Sequence, residues 1–217
     1  MNDTLAWQCA SLLLAYPDEE QRSHLELVGD VAARLPDRLG RPLTDTATAL
    51  GARPLQGLQE EYVATFDTRR RCSLFLTYFL HGDTRKRGTA LLRFRQTYLR
   101  SGHALDDSEL PDHLAVVLEY AATVDPEQGR RLLLDHRAGL EVLRLALRDL
   151  GSPWAGAVAA VSATLPTLRG DERDAVRRLA AEGPPEEEVG LSPYGQAGPV
   201  DLPLPTVLST VPSGGAR

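Results

Sequence analysis

The stretch that decides the fold class is "PEQGRRLLLDHRAGLEVLRLALRDLG", residues 126–151. Its apolar residues recur at helical spacing, close to a heptad seam. Pro126 stands where a helix can begin, and Gly151 stands where one can end. The pattern therefore predicts one long helix with a single apolar face, built from Leu132, Leu133, His136, Leu140, Leu143, Leu147 and Leu150.

The same period runs through most of the chain, which predicts an all-α, single-domain bundle of roughly eight or nine helices over residues 1–182. Residues 39–53 are predicted to be a loop or a short helix, and residues 73–80 a buried helix because no partner strand is evident nearby. Residues 183–217 are rich in proline and glycine and have little periodicity, so we expect an irregular or disordered tail. Further helices are predicted within 5–16, 25–35, 54–66, 83–100, 111–121, 153–165 and 171–182.

Composition and charge limit the function classes. The formal net charge is -6 and the isoelectric point is about 5.4, which argues against nucleic-acid binding because that requires a basic face. Cys9 and Cys72 are far apart and form neither a disulfide framework nor a zinc motif. The N-terminal stretch lacks a basic region before its short apolar run, so we expect neither a signal peptide nor membrane insertion, and a cytoplasmic location.

Catalytic signatures are absent from the sequence: there is no G-x-S-x-G, P-loop, G-x-G-x-x-G or H-E-x-x-H motif. We therefore expect a protein that is not an enzyme, with no cofactor and no metal of its own. One enzymatic alternative remains open, a small metal-dependent phosphohydrolase that would use His81, Asp83, Asp112 and His113 as ligands.

Two polar clusters follow apolar stretches, "HGDTRKRG" at residues 81–88 and "SELPDHLAVVLEY" at residues 108–120. Each alone is typical of a helix start, with Gly82 in a left-handed conformation, Asp83 as the cap, and the cations of 85–87 solvated. If the two clusters meet, they form a polar rim beside an apolar face. Its carboxylates could hold a cationic peptide end, and the apolar face could take an amphipathic helix.

Three stretches in this order and spacing resemble a known family: "EEYVATFD" (60–67), "SLFLTYFLHGDTRKRG" (73–88) and "ELPDHLAVVLEYAA" (109–122). They resemble NarJ, the assembly chaperones of respiratory nitrate reductase, sometimes called its delta subunit. NarJ belongs to the wider TorD/DmsD group of redox-enzyme maturation chaperones. "LLLAYPDEE" (12–20) and "SPWAG" (152–156) fit the same family, and the resemblance covers roughly residues 4–170.

The resemblance implies a cytoplasmic chaperone that binds the N-terminal segment of the catalytic alpha subunit of nitrate reductase. It would hold the apoenzyme until the molybdenum cofactor is inserted and before the subunit docks at the membrane. Proteins that deliver the molybdenum cofactor are a further implied class of partner. A helical adaptor for some other partner remains an alternative, as does a weaker one in which the protein binds the cofactor or a guanine nucleotide itself.

Carried residue by residue, the resemblance implies a peptide-binding site. The Asp-His pair of the wider group corresponds to Asp112 and His113. Of the aromatic residues Phe75, Tyr78 and Phe79, we expect more to belong to the core than to the wall of the groove. The predicted peptide-binding residues are Asp112, His113, Glu109, Pro111, His81, Asp83, Tyr62, Phe66, Tyr78 and Phe79.

Overall fold

A computed structural model describes residues 1–105 and 109–185, and these residues contain helices and no strand, which confirms the all-α class. A π-helical turn (Val63–Asp67) and a 3-10 turn (Arg70–Cys72) join α5 to α6. The α-helices in the described residues number twelve, more than predicted: α1 Asn2–Leu14, α2 Glu19–Ser23, α3 Leu25–Ala32, α4 Asp37–Gly51, α5 Leu55–Tyr62, α6 Tyr78–His81, α7 Arg85–Arg100, α8 Leu114–Thr123, α9 Pro126–Asp135, α10 Arg137–Asp149, α11 Ala155–Ala163 and α12 Gly170–Glu182.

The core forms where α1 packs against α8 and α11, while α4 packs against α3 and α11. Trp7 of α1 and Trp154, just before α11, are both fully buried. The Trp7 indole N–H donates to Thr164 Oγ1 at 2.9 Å, so its polar atom is satisfied inside the core. On the other side of α11, α10 packs between α11 and α12. The predicted tail lies outside the described residues from residue 186 onward.

Residues 39–53 were predicted to be a loop or a short helix; residues 39–51 instead belong to α4, a helix of fifteen residues with Pro42 inside it. Gly40 and Pro42 are weak helix formers, and they hid the pattern. Leu39, Leu43 and Leu50 nevertheless lie on one face and are completely buried. Burial of that face outweighs local propensity, as it does for most helices in folded proteins.

The long helix predicted after Pro126 is two helices, α9 and α10, separated at His136. His136 Nδ1 lies 2.9 Å from the carbonyl oxygen of Leu132, which is the oxygen that a continuing helix would offer to the His136 backbone N–H. The His136 ring also packs on Phe94 of α7, with ring centroids 5.1 Å apart. The side chain that fits the heptad pattern is therefore the one that interrupts the helix.

Candidate functional site

Residues 73–77 were predicted to be helical, and the structure shows no helix there: Phe75 forms an isolated β-bridge, and Leu76 and Thr77 form a turn that leads into α6. The Leu76 N–H donates to the carbonyl oxygen of Asp112 at 3.0 Å, and the Leu114 N–H donates to that of Leu74 at 2.8 Å. Phe75 and His113 form the antiparallel bridge between these bonds. The second and third family motifs are thus joined directly through their backbones, and in the earlier one only Tyr78–His81 is helical before α7 begins at Arg85.

Asp112 stabilises this junction from inside the protein. Its side chain is completely buried. Asp112 Oδ2 accepts hydrogen bonds from the Thr77 backbone N–H at 3.1 Å and from Thr77 Oγ1 at 2.5 Å. On the far side, the Tyr98 hydroxyl of α7 donates to the carbonyl oxygen of Pro111 at 2.6 Å. Asp112 therefore holds the turn into α6, and any influence on a ligand would pass through Thr77.

His113 is buried beside the same junction, with its ring edge against the ring of Phe75 at 5.3 Å. Burial lowers the pKa of His113 below its ordinary value, although the carboxylates of Glu109, Asp112 and Asp67 act in the opposite direction. The Glu109 carboxylate lies 3.6 Å from His113 Nδ1, beyond hydrogen-bond distance. The effect of burial on the pKa is larger than that of the carboxylates, so we conclude that His113 is neutral in the folded protein near pH 7.

The depressed pKa of His113 predicts acid sensitivity. The unfolded chain takes up the proton that the folded protein resists, so stability is lost as the pH falls below the ordinary histidine pKa of about 6.5. Urea unfolding should give a smaller free energy at about pH 5.5 than at about pH 7.5. The loss should shrink in His113→Gln and persist in His103→Gln, which alters an exposed histidine. If His113→Gln lost as much unfolding free energy at low pH as the wild type, the acid sensitivity would come from another group.

A cleft of about 260 Å³ opens in front of this junction, between the turns at 63–72 and the start of α7. Its walls are aromatic, and its other lining groups are charged or hydroxylic. Both of the first two family motifs contribute to it, and the third supports it from behind through the bridge to Phe75. The lining consists of Phe66, Asp67, Arg69, Arg70, Ser73, Phe75, Tyr78, Asp83 and Arg87.

Arg87 is one of the cleft residues that were not predicted to bind a ligand, together with Asp67, Arg69, Arg70 and Ser73. The run 85–87 was predicted to be solvated, and Arg85 and Lys86 are exposed, but the Arg87 side chain is only 16% exposed. Its guanidinium lies over the rings of Phe75 and Tyr78, 5.3 and 5.8 Å from their centroids. No spacing in the sequence signals this contact, because the corner at Gly82 separates Arg87 from the two aromatic residues.

The His-Gly-Asp corner differs from its predicted geometry at Asp83. The N-cap of α7 is Thr84, and the Asp83 carboxylate instead accepts from Arg87 Nη1 at 3.0 Å, one helical turn later. Gly82 has a positive φ of 55°, as predicted. A Cβ at this position would also lie 1.8 Å from the carbonyl oxygen of Pro185. Glycine is therefore required twice here, by the backbone conformation and by the chain that leaves α12.

The aromatic residues divide differently from the prediction. Phe79 alone of the three is in the core, pressed against Gly139 of α10, where an added Cβ would meet its ring at 2.6 Å. Phe75 and Tyr78 both line the cleft. Expecting more of the three in the core was wrong because residues 73–77 are not helical: Phe75 lies in the bridge to His113, Tyr78 begins the short helix α6, and both rings reach the cleft.

The predicted site residues therefore fall into four groups. Phe66, Tyr78 and Asp83 line the cleft. Asp112, His113 and Pro111 are buried behind it, and Tyr62 and Phe79 belong to the core. Burial raises the pKa of Tyr62, whose hydroxyl donates to the carbonyl oxygen of Leu14 at 3.0 Å. His81 is half-buried and Glu109 is exposed, and neither contributes to the lining among the described residues.

The described residues contain neither of two features that other functions would need. Within residues 1–105 and 109–185, no group of three or more His, Cys, Asp or Glu side chains is placed to hold a metal ion. Over the same part of the chain, no helix combines the length and the apolar character that a membrane crossing requires.

The residues that form the cleft lie within a stretch of sequence that matches a known protein family. Residues 32–160, more than half of the chain, match the family model described as nitrate reductase delta subunit. The chain belongs to the nitrate reductase delta subunit family. The matched range includes all three motifs around the cleft, and the resemblance to NarJ-type maturation chaperones is confirmed.

Individual proteins similar to this delta subunit family member are also named for nitrate reductase. The nitrate reductase-like protein NarX of Mycobacterium tuberculosis (strain H37Rv) is 45% identical over 161 residues; these cover 74% of this chain but only 24% of NarX. NarJ of Bacillus subtilis (strain 168), described as a probable nitrate reductase molybdenum cofactor assembly chaperone, is 30% identical over 175 residues, or 77% of this chain and 94% of NarJ.

The fold of this delta subunit family member also occurs in a solved structure. A crystal structure from Archaeoglobus fulgidus, described as a redox enzyme maturation protein, matches with a TM-score of 0.56 and 27% sequence identity. The match covers 76% of this chain and 93% of the other.

Proposed function

We propose that this protein is a cytoplasmic assembly chaperone for a nitrate reductase and acts by binding, without catalysing a reaction. Its client is the apo form of the catalytic alpha subunit, and the bound element is the N-terminal segment of that subunit. The chaperone holds the subunit for molybdenum cofactor insertion, before membrane docking, and works alongside the proteins that deliver the cofactor. The family match and the description of the Bacillus subtilis relative support the class of client.

The cleft is the observation that carries the binding mode. Phe66, Phe75 and Tyr78 offer aromatic surface to an apolar side chain of the client. Aromatic anchors of this kind supply much of the affinity in peptide complexes, while a few fixed polar groups set orientation. Ser73 and the charged side chains of the lining are such groups.

A volume of about 260 Å³ accommodates one or two client side chains, so a longer segment needs adjoining surface. Arg69 and Arg70 also line a larger groove of about 560 Å³ formed with α10 and α12. Its apolar floor includes Val142, Leu145 and Ala146. A client helix that anchors in the cleft can therefore continue along this groove, in the manner of an amphipathic helix on an apolar surface.

Removing one cleft wall tests the proposal. Calorimetric titration with a peptide from the N-terminal segment of the alpha subunit of the same source should show saturable one-to-one binding. Tyr78→Ala should weaken it about tenfold or more, because a buried tyrosine is a typical anchor. Tyr16→Ala is the matched control, since Tyr16 is a half-exposed aromatic residue outside the cleft lining and should leave the affinity unchanged.

The adaptor alternative predicts a different result. A helical adaptor with another partner would not bind the alpha subunit peptide at any pH, although the fold would be the same. Equal losses of affinity in Tyr78→Ala and Tyr16→Ala would show that the peptide binds outside the cleft.

A further inference from the structure

Two carboxylates around the cleft each already have one oxygen in a hydrogen bond with a neighbouring group. The Asp83 carboxylate accepts from Arg87 Nη1, and the Asp112 carboxylate is buried beneath Thr77. Asp67 is the remaining carboxylate of the lining, which also contains Arg69, Arg70 and Arg87. Three cations therefore face two anions in a chain whose net charge is -6. This balance does not suit the cationic peptide end that the sequence suggested.

The Arg87 guanidinium has one buried N–H group, at Nη2, that donates no hydrogen bond within the described residues. Its Nη1 donates to Asp83 Oδ1 at 3.0 Å, and its Nε donates to Thr77 Oγ1 at the long distance of 3.4 Å. Its Nη2 is buried and has no hydrogen-bond partner among the described residues. A buried cationic donor without an acceptor is unfavourable, because its hydration is lost and not replaced. A ligand that supplies an acceptor would remove this penalty.

The orientation of that donor is fixed before any ligand arrives. The guanidinium plane is held over Phe75 and Tyr78, and Asp83 fixes one edge of it. Both rings also line the cleft, so an acceptor that reaches Nη2 would lie beside aromatic surface. The complementary ligand group is an oxygen acceptor next to an apolar side chain.

We infer that Arg87 Nη2 donates to a carboxylate or carbonyl oxygen of the bound client segment, and that this bond makes Arg87 a specificity-determining residue. The inference rests on the proposed function for the identity of the client. The oxygen has two sources, an acidic side chain or a main-chain carbonyl of the peptide. Both present the same chemistry to the guanidinium.

The test compares Arg87→Met with Arg85→Met in the full chain. Methionine keeps much of the side-chain length but has no donor and no charge, and Arg85 is an exposed cation two residues away on the same helix. Titration with the alpha subunit peptide should give an affinity about tenfold lower for Arg87→Met and an unchanged one for Arg85→Met. Arg87→Lys should recover only part of the loss, since an ammonium lacks the planar fork.

The two sources are separated with modified peptides. Acidic side chains of the peptide are replaced singly by their amides, and main-chain amides singly by esters, whose carbonyls are weaker acceptors. One peptide modification should lower the affinity for the wild-type protein but not for Arg87→Met, and the group that it alters is the partner of Arg87 Nη2. Equal affinity of wild type and Arg87→Met for the parent peptide, or an equal loss in Arg85→Met, would overturn the inference.

A second measurement tests the inference about Arg87 without the client peptide. Isotope-edited NMR of the arginine side chains follows the guanidinium of Arg87 while isocaproate, an apolar carboxylate, is added. A saturable shift of the Arg87 signal by isocaproate, and none by isohexanol, is expected even if the alpha subunit peptide does not bind. Absence of that shift in a folded protein contradicts the inference, whereas absence of peptide binding contradicts only the proposed function.

Discussion

Replacing Glu141 by alanine is expected to cost the protein about 3–5 kcal/mol of its free energy of unfolding. Glu141 is buried on α10, and its carboxylate accepts from Arg137 Nη2 at 2.8 Å, Arg144 Nε at 2.7 Å and Ser162 Oγ at 2.5 Å. Arg137 is buried as well, and burial lowers the pKa of its guanidinium. Without Glu141 this cation has lost its compensating charge, and the tie between α10 and α11 is broken.

Urea unfolding measures the effect, and Asp149→Ala is its matched control. Asp149 also accepts from an arginine of α10, Arg148, but both side chains are more than 60% exposed. An exposed pair contributes about 0–1 kcal/mol, so the control should be close to wild type. If Glu141→Ala unfolded at the same urea concentration as Asp149→Ala, water would have to reach Arg137 in the variant, and the pair would not be a structural tie.

Periodicity predicted the all-α class because amphipathic spacing reports which face of a helix is buried. It could not distinguish a helix from a non-helical segment in residues 73–77, where three consecutive side chains, Leu74, Phe75 and Leu76, are apolar and show no period. The deciding partner is Asp112–Leu114, about 35 residues later, and two of its hydrogen bonds to this segment join backbone to backbone. Such bonds leave no side-chain pattern, so a segment of this kind appears from sequence as an unpartnered run.

The location of the candidate site could be predicted from the sequence, as the fold class could. The motifs that the sequence singled out are the ones that surround the cleft, since Phe66, Tyr78 and Asp83 all line it. The division of roles within them was not predictable. Arg87 looked like part of a solvated basic run, and its burial depends on the rings of Phe75 and Tyr78, over which its guanidinium lies. Asp112 looked like a rim residue, and the backbone pairing with Leu74 and Leu76 buries it.

Asp112→Ala is therefore expected to lower the free energy of unfolding by about 2–4 kcal/mol, because hydrogen bonds to a buried carboxylate contribute about 1.5–3 kcal/mol each. The variant loses both bonds to Thr77 and leaves two buried donors without an acceptor. Glu109→Ala, in the same motif, is the control, since Glu109 is exposed and should cost little stability. Urea unfolding of the two variants measures the difference.

The effect of Asp112 on the client can then be assigned to position or to contact. If Asp112 acts by holding Thr77, then Thr77→Val, which removes the hydroxyl bond at 2.5 Å, should weaken binding of the alpha subunit peptide in the same direction as Asp112→Asn. If Asp112 reads the client directly, Thr77→Val should leave the affinity near wild type. The complete burial of Asp112 favours the first result, since a carboxylate with no exposed surface reaches a ligand only after the junction between 73–77 and 112–114 has opened.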